Sequence, residues 1–140
     1  MKKNKYDFTY TFYETIGKKQ KKITTPLKFN LQSFLKNTSI ATSSMIVTKK
    51  ILKNIKFTDT PICEDYFFKC SILKKISYAY GMNNYLMKYR ISDTSMQSQK
   101  LRNIYWIWKI NKKFNKLNII NNFISVISIS FNSLRKYGLK

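Results

Sequence analysis

The sequence predicts an α/β domain, a mixed sheet with flanking helices, followed by C-terminal amphipathic helices. Three observations carry this reading. Residues 6–16 are rich in β-formers and alternate in part. A helix signal opens at Glu64, behind Pro61, which holds the residues before it extended. Beyond Ser98 apolar residues recur at three- and four-residue steps. The boundaries expected are residues 1–98 for the α/β part and 99–140 for a basic helical tail.

In chain order, the strand over 6–16 ends at Gly17. Lys18 to Lys22 reads as a solvated turn, and Ile23-Thr24-Thr25 before Pro26 as a short edge strand. Asn30 caps a short helix with Leu31, Phe34 and Leu35 on one stripe. A second strand is expected from Ser39 to Val47, then one or two helical turns over 49–55. In the helix from Glu64, Phe68, Ile72 and the Lys75 stem share a face. Lys69, Lys74 and Lys75 stand towards its C-terminal end, where the helix dipole favours cations. Ser77–Tyr80 and Tyr85–Arg90 read as two strands separated at Gly81. Leu101, Ile104, Tyr105 and Trp108 open an amphipathic helix that Ile107, Ile110, Phe114 and Leu117 continue. Ile120, Phe123, Ile127, Phe131 and Leu134 suit a further helix, although Ile127–Phe131 also alternates like a strand.

Composition bounds the chemistry. The 140 residues carry 27 Lys plus Arg against 6 Asp plus Glu, a net charge of +21, with 44% hydrophobic and 16% aromatic residues. That is too apolar for a disordered basic tail. With no histidine, Ser-His-Asp and Cys-His relays are excluded, and so are most zinc sites. Cys63 and Cys70 sit seven residues apart, roughly 10 Å along a helix and too far for a disulfide; they read as buried thiols in a reducing compartment. Only three of the cations are arginine, the residue that groove readers favour. Lys, Asn and Ile make up 55 of the 140 residues, and all have A/T-rich codons, so part of the charge reflects nucleotide bias. No secretory signal follows the basic Met1–Lys5, and no run of 18 apolar residues occurs. The expectation is a cytoplasmic protein, soluble or lying on a surface.

Two constellations are candidates for chemistry. Glu64 and Asp65 are adjacent among only six carboxylates. Acids in a first helical turn complement its positive end by about 0.3–1 kcal/mol, which is the commoner reason for such a pair. The functional reading makes one of them a general base at a strand-to-helix junction. Tyr89-Arg90 with Ser92, Thr94 and Ser95 would suit an anionic or polyhydroxyl ligand; a surface arginine beside a hydroxyl turn is the plainer explanation. Thr42-Ser43-Ser44 is a weaker candidate. No Gly-rich phosphate loop and no Asp-x-Asp is present.

Taken in order, these pieces resemble the C-terminal half of a family 2 glycosyltransferase of the GT-A fold. Thr42–Val47 is similar to that family's Thr-Ser strand, and Lys49-Lys50-Ile51-Leu52 to the basic turn after it. Glu64-Asp65-Tyr66 resembles its Glu-Asp-Tyr/Phe element. Tyr85–Arg90 resembles its Leu-x-x-Tyr-Arg strand, and Ser92 to Ser98 the hydroxyl-rich loop that follows. The resemblance covers residues 5–98 well and the rest more loosely.

The resemblance implies an incomplete GT-A-like mixed sheet and an inverting sugar transfer. Asp65 would be the general base, with Glu64 supporting the acceptor side. Tyr89, Arg90, Ser92, Ser95 and Thr42 would contact acceptor or diphosphate. It implies a glycan or lipid-linked acceptor. In the complete enzyme it also implies a nucleotide-sugar donor and a divalent Mg or Mn ion held by an Asp-x-Asp. This chain lacks that element, so no metal site or cofactor is expected in it. The expectation is a truncated or split enzyme, inactive alone, whose missing N-terminal half or a separate chain supplies the donor site. The basic end leaves two readings open: helices packed on the sheet, or a tail on an anionic bilayer at the inner face of the plasma membrane. A small nucleic-acid-binding protein and a non-catalytic interaction module are the alternatives; the scarcity of arginine argues against specific nucleic-acid binding.

Overall fold

A computed structural model describes residues 6–17, 20–91 and 100–138. Strand β1 (Phe8–Gly17) is the centre of the sheet. Its residues Phe8 to Tyr13 are buried without interruption, as expected of a strand covered on both faces. On one side it pairs antiparallel with two short strands. These are β2 (Lys21–Ile23), through Tyr13↔Ile23, and β4 (Met45–Val47), through Phe8↔Val47. On the other side it runs parallel to β5 (Ala79–Ile91), from Thr9↔Tyr80 to Gly17↔Ile91. β3 (Lys28–Phe29) covers only Tyr80 and Ala79 on the outer side of β5. From Met82 to Ile91 that side pairs with no other described strand.

Two glycines fix the β1–β5 ladder. A Cβ on Gly17, whose φ is +99°, would stand 2.6 Å from the Ile91 carbonyl oxygen. A Cβ on Gly81 would meet the Tyr10 ring at 2.9 Å. The expected break at Gly81 is therefore a close approach inside one long strand. The separation into two strands is corrected accordingly: the interruption is a register shift, with Thr11↔Met82, Phe12↔Tyr85 and Tyr13↔Met87.

The helices are α1 (Leu31–Phe34), α2 (Lys49–Leu52), α3 (Glu64–Leu73), α4 (Lys100–Lys113) and α5 (Ile119–Tyr137). Asn30 caps α1 as expected: Ser33 N–H donates to Asn30 Oδ1 at 2.8 Å, and Asn30 N–H donates to Ser33 Oγ at 3.0 Å. The strand expected over 39–47 shrinks to Met45–Val47, because Thr42–Ser44 winds into a 3-10 turn. The Ser44 hydroxyl holds that turn, donating to the Ala41 carbonyl at 2.8 Å. Lys21 and Lys22, expected in a turn, belong to the edge strand β2.

The core joins Phe8, Tyr10, Phe34, Ile40, Tyr66 and Ile72 to Ile110 of α4 and Ile129 of α5. The C-terminal helices therefore pack on the α/β part. A buried polar network accompanies them. Tyr66 Oη donates to Asn111 Oδ1 at 2.7 Å, and Asn111 Nδ2 donates to Ser125 Oγ at 2.9 Å. The Ser125 hydroxyl in turn donates to the Leu35 carbonyl. Among the described residues no helix is long and apolar enough to cross a membrane.

Candidate functional site

Asp65 is the second residue of α3, and the backbone enters that helix in an unusual way. Cys63 at the N-cap takes φ +62° and supplies no side-chain cap. A left-handed conformation in a residue with a Cβ costs about 1–2 kcal/mol. The turn sets Glu64 and Asp65 in the first helical turn, where acids complement the dipole.

The structure brings two of the sequence candidates together. Thr42 Oγ1, on the 3-10 turn, donates to Asp65 Oδ2 at 3.1 Å. Lys69 Nζ, one helical turn further on, donates to the same oxygen at 2.8 Å. It also donates to the Ile40 carbonyl at 2.9 Å. The lysine side chain is 4% exposed, whereas that of Asp65 is 46% exposed. Burial pushes the Asp65 carboxyl up. The Lys69 ammonium, its hydrogen bond, the Thr42 hydroxyl and the Tyr66 backbone N–H outweigh this, and the net direction is down. Asp65 is thus a half-exposed, ionised carboxylate with one oxygen anchored.

The sequence places Lys69 towards the C-terminal end of α3, where the dipole favours cations; it is instead buried at mid-helix as the partner of Asp65. Its signal was present as the i,i+4 spacing of Asp65 and Lys69. Lys136, in the last turn of α5, joins the same electrostatic neighbourhood. Burial first, then repulsion from the Lys69 ammonium, lowers it to about 8. No pattern in the sequence marks it.

Tyr89 and Arg90 belong to a different group, at the far end of the β1–β5 ladder opposite Thr15 and Ile16. The Tyr89 ring lies 6.1 Å from that of Tyr13, whose hydroxyl is 2.7 Å from that of Tyr137. Arg90 is exposed. Ser92 and Ser95 lie outside the described residues. Glu64 is half-buried beside Asp65.

A hollow of about 210 Å³ next to the tyrosine group is lined by Thr15, Lys21, Ile91, Arg135, Lys136 and Tyr137, together with Gly138. A larger one, about 580 Å³, lies between α4 and α5, against Trp108, Lys112 and Ile120. Asp65 lines neither. Both cysteines are free thiols, pushed up by burial to about 12 (Cys63) and about 11 (Cys70). Among the described residues no group of three or more His, Cys, Asp or Glu is placed to hold a metal ion. The described residues therefore do not fit the divalent ion that the resemblance implies for the complete enzyme.

A mixed parallel and antiparallel sheet with flanking and C-terminal helices is a generic α/β arrangement, consistent with a GT-A-like domain. No family model and no solved structure matches the chain. It is weakly similar to TuaG of Bacillus subtilis (strain 168), a protein named as a teichuronic acid biosynthesis glycosyltransferase, an assignment that its name marks as provisional. The two are 24% identical over 133 residues, covering 92% of this chain and 53% of TuaG. The chain thus spans about half the length of the relative it matches.

Proposed function

We propose that this chain is the acceptor-side portion of an inverting glycosyltransferase of polysaccharide biosynthesis, and that Asp65 is its general base. The observation that carries the reading is the state of Asp65: ionised, half exposed, at the mouth of α3 and held by Thr42 and Lys69. The Asp65 carboxylate takes the proton of an acceptor hydroxyl on a glycan or lipid-linked sugar. The hydroxyl oxygen bonds to the anomeric carbon as the bond to the nucleoside diphosphate breaks, and the configuration inverts. Lys69 keeps the base ionised at some cost in proton affinity. On this reading the donor site, and the groove that receives the acceptor, are supplied by further polypeptide, joined to this chain or separate. The chain by itself is inactive on this reading.

The burial of Lys69 favours a second reading, in which Asp65 is only its counter-ion. One experiment separates the two. The chain is joined to the portion of TuaG that the match leaves uncovered, and nucleoside diphosphate release is followed across a panel of nucleotide sugars and acceptors. On the first reading Asp65→Asn lowers transfer about 10²–10⁴-fold while nucleotide binding stays intact. Normal turnover by a folded Asp65→Asn protein removes Asp65 from the role of base.

A further inference from the structure

α5 turns its longer apolar stripe away from the core it packs on. Its inward face is mixed: Ile129 joins the core, and polar residues are buried beside it. Asn122 and Ser125 are fully buried, Asn122 Nδ2 donates to the Trp108 carbonyl at 3.0 Å, and Asn132 Nδ2 donates to the Lys36 carbonyl at 3.1 Å. On the opposite side Ile120, Phe123, Ile127 and Phe131 are each more than half exposed. With Ile124 and Leu134 they form one unbroken apolar stripe about 21 Å long. No charged residue occurs between Ile119 and Leu134. The expected stripe is thus present, but it faces away from the core.

The sequence charge and the neighbouring helix indicate what covers it. A second copy would bring another +21 body against this face, and like charge opposes that pairing. An anionic surface is complementary. At the N-terminal end of the stripe, Trp108 and Lys112 line the hollow shared with Ile119 and Ile120. An aromatic ring and a cation beside an apolar face are the side chains that settle at a headgroup boundary. No described helix is suited to crossing. We infer that the outer face of α5 is a membrane-docking surface, lying flat in the headgroup region of an anionic phospholipid bilayer with Lys112 towards the lipid phosphates. This inference stands apart from Asp65, and its test involves no catalysis.

The full chain is sedimented with vesicles of equal phosphatidylglycerol and phosphatidylcholine, and with phosphatidylcholine alone. The triple variant Phe123→Ser/Ile127→Ser/Phe131→Ser is treated in parallel. Binding to the anionic vesicles that falls at least tenfold in the variant, with the thermal unfolding midpoint kept, supports the inference. Failure of the parent chain to bind, or equal binding by the variant, overturns it. A parent dimer that the triple variant dissociates also overturns it, in favour of a second copy. A large fall in the variant's unfolding midpoint without self-association overturns it as well, since the stripe would then be packed inside the protein.

Discussion

Lys69 Nζ lies 2.8 Å from Asp65 Oδ2, yet the lysine side chain is 4% exposed and the aspartate side chain 46%. The pair is asymmetric: the cation depends on the anion more than the reverse. Asp65→Asn leaves a buried ammonium with the Ile40 carbonyl and a neutral amide. Lys69→Met leaves a carboxylate that water and Thr42 still solvate. Chemical denaturation should show Asp65→Asn costing about 1–2 kcal/mol, a value discounted for the exposure of Asp65. Lys69→Met should change stability by less than about 1 kcal/mol. Equal costs would mean that the pair does not anchor Lys69.

The same pair sets an acid limit. Asp65 is lower in the folded chain than its ordinary value of 3.8, so its stabilisation is fully present above that value. It is lost as pH falls through the depressed folded value. Unfolding followed from pH 5 downwards should show a loss of stability that Asp65→Asn lacks. Parallel acid profiles would contradict the assignment.

Lys136 acts at the other end of the scale. Its value falls from 10.5 to about 8 on folding, so below pH 8 the folded chain holds a charge it disfavours. The Lys136 contribution to stability therefore rises with pH above 8, while the raised Cys63 and Cys70 thiols oppose it over the same range as pH approaches their ordinary value of 9.0. Lys136→Met should remove the rising contribution, so that its stability falls relative to the parent between pH 8 and 9, and should stabilise the chain at pH 7 by about 1 kcal/mol. An unchanged slope in Lys136→Met would locate its origin elsewhere.

Asn111 is fully buried and binds three side chains at once: Tyr66, Asn115 and Ser125. Asn111→Ala leaves their polar groups short of partners and should cost about 2–4 kcal/mol, well above the cost of Tyr66→Phe at about 1–2 kcal/mol. Urea melts of both variants test the ranking.

Gly17→Ala places a methyl 2.6 Å from the Ile91 carbonyl in a backbone with φ +99°. The expected loss is about 2 kcal/mol or more, read as a lower unfolding midpoint. A neutral result would mean that the β1–β5 ladder frays at this end.

Local chemistry made much of this fold legible. The β-former run up to Gly17, the Asn30 cap and the helix opening at Glu64 stand where residue type alone placed them. Thr42 and Asp65 were named separately, but their hydrogen bond spans 23 positions and depends on the 3-10 turn. Lys69 is misplaced because dipole reasoning weighs a lysine only against the helix ends, whereas the Ile40 carbonyl and Asp65 together hold it inside. The stripe on α5 is legible in the sequence, which leaves open whether it turns to the sheet or outwards. Periodicity reports that a helix has two faces, and only the bonds of Asn122 and Ser125 decide which one turns inward.

The outer flank of β5 from Met82 to Ile91, beside which no strand stands among the described residues, has a consequence for handling the protein. A row of main-chain donors and acceptors without a described strand opposite is a template on which a foreign strand can be laid by backbone pairing alone, whatever its side chains. Lys88 and Arg90 are both exposed on this strand, and their like charge opposes the approach of a second basic copy. High ionic strength screens that repulsion, so self-association through this edge is expected to grow with salt concentration.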